Sequence, residues 1–128
     1  MSEQKKNFKL VPKDCTEQKV GKKTLPPKFD GYIMLRKPNI YEKYEYISES
    51  GLVVGKEGEL EGGVAEQLRC ISKLIKYSEK HFVEVDIKHL ESGDRFKTFE
   101  DLSDDSDCHA MIQEAALSIV SGGAPSKN

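Results

Sequence analysis

The chain has no tryptophan, and only three cysteines and three histidines among its 128 residues. Cys15, Cys70 and Cys108 stand far apart with no C-x-x-C pair, which excludes a zinc-finger or thioredoxin-type site. An odd count fits reduced thiols: Cys70 and Cys108 fall in helical patterns as small hydrophobes, and Cys15 lies in the N-terminal segment. Phosphate loops are missing as well. Gly21-Lys22-Lys23-Thr24 ends like one, but Thr16 occupies the place of its leading glycine, and the glycine-rich stretch 55–63 lacks G-x-G-x-x-G. Asp101, Ser103, Asp105 and Asp107 have calcium-loop spacing, yet Ser106 replaces the turn glycine and Ile112 the bidentate acid. Helix capping and a solvated acidic face account for these carboxylates.

Catalytic constellations are equally scarce. Cys108 and His109 are neighbours, and adjacent helical residues project about 100° apart, too divergent for an activated thiol–imidazole pair. His81 and His89 bracket one stretch of strand, too far apart to share a metal, and are expected at the surface or at strand ends. The sequence therefore offers no catalytic, metal or cofactor site, and a non-enzymatic protein is expected. No apolar run approaches the ~18–20 residues that cross a bilayer, and none follows the N-terminal lysines as a signal-peptide core would. A cytoplasmic protein without membrane contact is the expectation.

What is present suits one domain: 37% of residues are hydrophobic and 33% charged, enough to build a modest core in a soluble chain. The net charge of −2 is unevenly spread. Residues 1–28 hold eight lysines against Glu3, Asp14 and Glu17, a balance of +5, leaving −7 for residues 29–128. A globule of that sign argues against nucleic acid, which needs basic groups clustered on a folded face. Residues 1–28 read as a flexible basic arm able to lie back on its own acidic domain, ending at Pro26-Pro27.

Periodicity then gives the elements of a single domain over residues 29–123. Tyr32-Ile33-Met34-Leu35, between Gly31 and Pro38, reads as a strand buried on both faces. Asn39 caps a short helix to Ser50, with Ile40, Tyr44 and Ile47 as its apolar face and Gly51 as its stop. Residues 55–63 read as a mobile loop. A helix from Val64 to Ser78 follows, and then a half-buried strand in which Val83, Val85 and Ile87 share one face. Glu91-Ser92-Gly93-Asp94 turns the chain into a hairpin, and Thr98 with Asp101 forms a capping box. The last helix carries Cys108, Met111, Ile112, Ala115, Ala116, Ile119 and Val120 on one stripe and stops at Gly122-Gly123, before a loose tail at 124–128. The expected fold is α+β: a small three-stranded sheet with a hairpin, packed against about three helices, with a disordered N-terminal arm.

The tyrosines offer aromatic area with polar tips, suited to core packing or to a partner surface. Tyr41, Tyr44 and Tyr46 crowd one short helix with aromatics on more than one face, a composition suited to protein contacts. The segment Phe29 to Pro38 with the tyrosine-rich helix after it, together with FKTFEDLSDDSDCHAMIQEAALSIVSGG, resembles the tail assembly chaperones of tailed bacteriophages and prophages over about residues 29–123. The resemblance implies a non-enzymatic protein of the bacterial host cytoplasm that binds the tape measure protein, keeps it soluble and recruits tail-tube protein. In that family a frameshift often gives a longer second form, and Lys127-Asn128 is compatible with a slippery codon pair. Partner contact is expected through Tyr41, Tyr44, Tyr46 and Met111, with self-association into a homo-oligomer open. Two other readings stand beside it: a structural tail-completion or connector subunit, and a small regulatory protein that binds a host enzyme.

Overall fold

A computed structural model describes residues 7–51 and 64–121. In chain order they form β1 (Asn7–Leu10), β2 (Gln18–Val20), β3 (Lys23–Leu25), β4 (Phe29–Arg36), α1 (Ile40–Ser50), α2 (Val64–Ser78), β5 (Phe82–His89), β6 (Arg95–Phe96), α3 (Phe99–Ser103) and α4 (His109–Val120). The architecture is mixed α and β. An antiparallel sheet has strand order β1-β4-β5-β6, and β2 and β3 form a separate two-stranded hairpin. The glycine-rich loop at 55–63, Gly122-Gly123 and the tail at 124–128 lie outside the described residues.

Strand alternation decides which side of the sheet is dry. Register pairs Leu10 with Ile33 and Ile33 with Val85, so these share one face with Leu35, Ile87 and Phe96, all buried. On the other face Lys9 pairs with Met34 and Met34 with Glu84. That face is wet: Tyr32 donates its hydroxyl to Glu84 at 2.8 Å, and the Lys9 ammonium sits 4.9 Å above the Tyr32 ring. The β4 strand is thus buried on one face and half-buried on the other, rather than buried on both. Its core face meets α4, whose stripe from Cys108 to Val120 is buried as its spacing predicts; α2 packs on α4, and α1 on α2.

Three expectations fail for non-local reasons. Residues 7–28 are not a free arm, and the sheet has four strands rather than three, because β1 adds to the edge of β4. Leu10 and Pro12 are buried, Phe8 and Cys15 pack on the core, and the Lys13 backbone N–H donates to Glu114 Oε1 at 3.1 Å. Val83, assigned to the buried face, is 53% exposed. Met34 pairs with Glu84 but Leu35 pairs with Phe82, so a bulge leaves Val83 over and turns Phe82 toward the core in its place.

Gly31 permits the close approach of β4 and β5. It holds φ at 135°, and a Cβ there would stand 1.8 Å from the Asp86 carbonyl oxygen, inside any contact distance. Gly21 also has positive φ, but nothing lies within 4 Å of its added carbon. Gly31→Ala should therefore abolish the cooperative urea transition, whereas Gly21→Ala should cost only about 1–2 kcal/mol. Leu10→Ala should lower stability by about 2–4 kcal/mol in the same measurement, where a free arm would give no change.

Candidate functional site

The helix α1 starts where Pro38 ends β4. Asn39 Oδ1 accepts the Glu42 N–H at 2.8 Å, and Glu42 Oε1 accepts the Asn39 N–H at 2.9 Å, a complete capping box. The same carboxylate takes the Arg36 guanidinium at 3.2 Å, which fastens the cap to the end of the strand. That bond holds the Glu42 carboxyl below its ordinary range, with burial acting against it.

Behind the cap lies a buried polar node. The Tyr46 hydroxyl meets His81 Nε2 at 2.7 Å, and His81 Nδ1 meets the Arg36 carbonyl oxygen at 2.8 Å. A carbonyl only accepts, so the imidazole proton resides on Nδ1, and Nε2 accepts from the tyrosine. Tyr46 also stacks on Tyr77, with ring centroids 4.9 Å apart. These contacts fix the rotation of α1, and the helix is turned from its expected phase, with only Ile47 of the expected face directed inward. Tyr46 and Ser50 are buried, with Ile47 packed beside them, while Ile40 and Tyr44 face outward. Ile40, Tyr41 and Tyr44 are 56%, 82% and 62% exposed. Residues three and four apart on a helix are surface neighbours, so these three form one apolar and aromatic patch.

The four residues expected at a partner surface therefore divide. Tyr41 and Tyr44 stand on the surface; Tyr46 and Met111, each 1% exposed, are core residues and cannot meet a partner without unfolding. The last helix reaches the surface instead beside a recess of about 220 Å³, where Ile112 and Gln113 meet Ile75 and Phe99. His81 does sit at the start of β5, but it is fully buried rather than superficial. His89 ends the strand, its ring centroid 4.7 Å from that of Phe29 in an edge-on contact and its Nδ1 accepting the Ser92 N–H.

Comparison with family models, curated proteins and solved structures returns no match. The surfaces must be read from their own chemistry. Burial pushes the Cys15 thiol up to about 11 and that of Cys108 up to about 12, so neither supplies a thiolate nucleophile near neutral pH. His109 Nε2 donates to the Ser103 carbonyl at 2.8 Å and closes the end of α3 rather than facing Cys108. Among the described residues no group of three or more His, Cys, Asp or Glu side chains could hold a metal ion, and no helix is long and apolar enough to cross a membrane.

A larger cleft, of about 660 Å³, opens at the far end of β4, between Pro26, Pro27 and Phe29 on one side and His89, Leu90 and Glu91 on the other. Its lining combines apolar side chains with Lys28, His89 and the carboxylates of Asp14, Glu91 and Asp107.

The buried imidazole makes stability depend on pH. Burial pushes His81 below its ordinary value of 6.5, so the unfolded chain takes up a proton before the folded one does. Its contribution is complete above that value and is lost as the pH falls toward the folded value. Arg36, Glu42 and Lys80 are the charged groups around it, and Glu42 loses its own contribution only below its ordinary value of 4.5. Urea midpoints should fall between neutral pH and about pH 5, with a shallower fall in His81→Gln. Tyr46→Phe should cost about 1–3 kcal/mol at neutral pH by leaving Nε2 without a donor.

Proposed function

We propose that the protein is a non-enzymatic binding protein, a phage tail assembly chaperone that holds the tape measure protein in soluble form and helps recruit tail-tube subunits. The observation that carries this reading is the exposure of Ile40, Tyr41 and Tyr44 on a helix whose opposite side is fixed by a buried hydrogen-bonded node. Exposed tyrosine and isoleucine on a rigid helix supply contact area at little cost in side-chain entropy, and aromatic residues dominate binding energy at protein interfaces. A helix face of this kind fits the apolar stripe of a long amphipathic helix, the form of recognition in which anchors recur at i, i+3 and i+4. The reading is also supported by the resemblance over residues 29–123.

The decisive experiment is affinity capture of the tagged protein from cells expressing its native gene neighbourhood, followed by mass spectrometry. The expected result is recovery of a very long helical protein. Tyr41→Glu with Tyr44→Glu should weaken that capture about thirtyfold or more, equivalent to roughly 2 kcal/mol, with thermal unfolding unchanged because both side chains are exposed. Recovery of a host enzyme alone would favour a regulatory protein, and persistence in purified particles as rings would favour a connector subunit.

A further inference from the structure

Two features have no partner among the described residues, and they are complementary. The first is the β2–β3 hairpin. Gly21, at φ 64°, takes the first central position of its two-residue turn, as a type II′ turn requires. Every residue from 18 to 25 is exposed, including Val20 at 60% and Leu25 at 46%. Lys19, Lys22 and Lys23 make no ion pair among the described residues. A lone two-stranded hairpin is marginal in water, so this one gains by covering its apolar side chains.

The second feature is the cleft of about 660 Å³ at the end of β4. Leu25, Pro27 and Leu90 give it apolar walls, and Asp14, Glu91 and Asp107 bring three carboxylates to it. None of these carboxylates accepts a hydrogen bond or ion pair among the described residues, and Lys28 is the single cation of the lining. The volume takes several side chains, not a whole domain.

We propose that two copies of this chain form a twofold dimer in which each lays its basic hairpin in the acidic cleft of the other. Three lysines then meet three carboxylates, and Val20 meets the apolar walls. The hairpin leaves from the wall of its own cleft at Leu25, and Pro26-Pro27 stiffens that exit, holding the tip away from the adjoining cleft. Donor and receptor thus lie side by side on one surface. That arrangement suits a closed, isologous exchange, in which both contacts form at once.

The test is a charge swap read by multi-angle light scattering and sedimentation equilibrium on the full chain at low ionic strength. Wild type should reach twice the monomer mass of 14.4 kDa at high concentration and weaken as salt is added. Lys22→Glu with Lys23→Glu, and separately Glu91→Lys with Asp107→Lys, should each raise the dimer dissociation constant more than about tenfold by placing like charges together. An equimolar mixture of the two variants should restore the dimer, since both hairpin–cleft pairings of the heterodimer are again of opposite sign. All four positions are exposed, so thermal melts should match wild type and separate lost association from lost fold. A wild type that stays monomeric at every concentration, or a mixture that fails to re-form the dimer, would overturn the exchange. Open-ended polymers would overturn its twofold symmetry.

Discussion

A buried imidazole is stable only when both of its nitrogens are satisfied, and His81 draws its two partners from separate elements. The carbonyl at the end of β4 takes the proton of Nδ1, and the hydroxyl of Tyr46 on α1 supplies a proton to Nε2. His81 itself sits in the single turn that joins α2 to β5. One side chain therefore fixes where the sheet ends, where α1 begins its course and how α2 hands the chain back to the sheet. This matters because α1 buries little else: Tyr46 and Ser50 are its buried residues. Hydrogen-bond satisfaction and the Tyr46–Tyr77 stack set its orientation more than apolar area does, and that frees its other face to remain hydrophobic toward solvent.

The sequence was legible where local chemistry and global packing agree. The stripe of α4 is apolar enough on one side to dictate its burial; Asn39 caps α1 and Thr98–Asp101 is a complete capping box; and Gly93, at φ 84°, turns the second hairpin as expected. It misled where pairing across long sequence distances decides the outcome. Phe8 and Leu10 alternate about Lys9 in a segment dominated by lysine, and only their pairing with Leu35 and Ile33 makes them core residues. Val83, Val85 and Ile87 alternate without a flaw, yet the bulge opposite Met34 and Leu35 discards Val83 and recruits Phe82, an event with no local signature.

The candidate site shows the same division. Ile40, Tyr44 and Ile47 satisfy helical spacing, and spacing alone directs them inward. The competing face of Tyr46 and Ser50 is no more apolar, but it faces His81 and Tyr77, partners more than thirty residues away along the chain. Periodicity reports that a helix has an apolar stripe; it does not report which of two stripes the core selects. An excess of tyrosine in a short helix was the one sign that more than one of its faces is aromatic, one side packed and the other exposed.

The two surfaces lie at opposite ends of one strand. Arg36, at the end of β4, anchors the cap of α1, while Phe29, at its start, lines the acidic cleft. An extended strand of this length separates its ends by about 24 Å, more than the reach of any side chain. Contacts made inside the cleft therefore do not involve Tyr41 or Tyr44. A twofold dimer would then carry two tyrosine faces on one rigid body, and a long helical partner could meet both at once. The second contact would be intramolecular, so modest affinity at each face would give firm capture of an extended partner and weak capture of a short one. In that assembly the basic hairpin and the tyrosine helix would divide the work: charge complementarity would set the valency, and the exposed face of α1 would supply the contact.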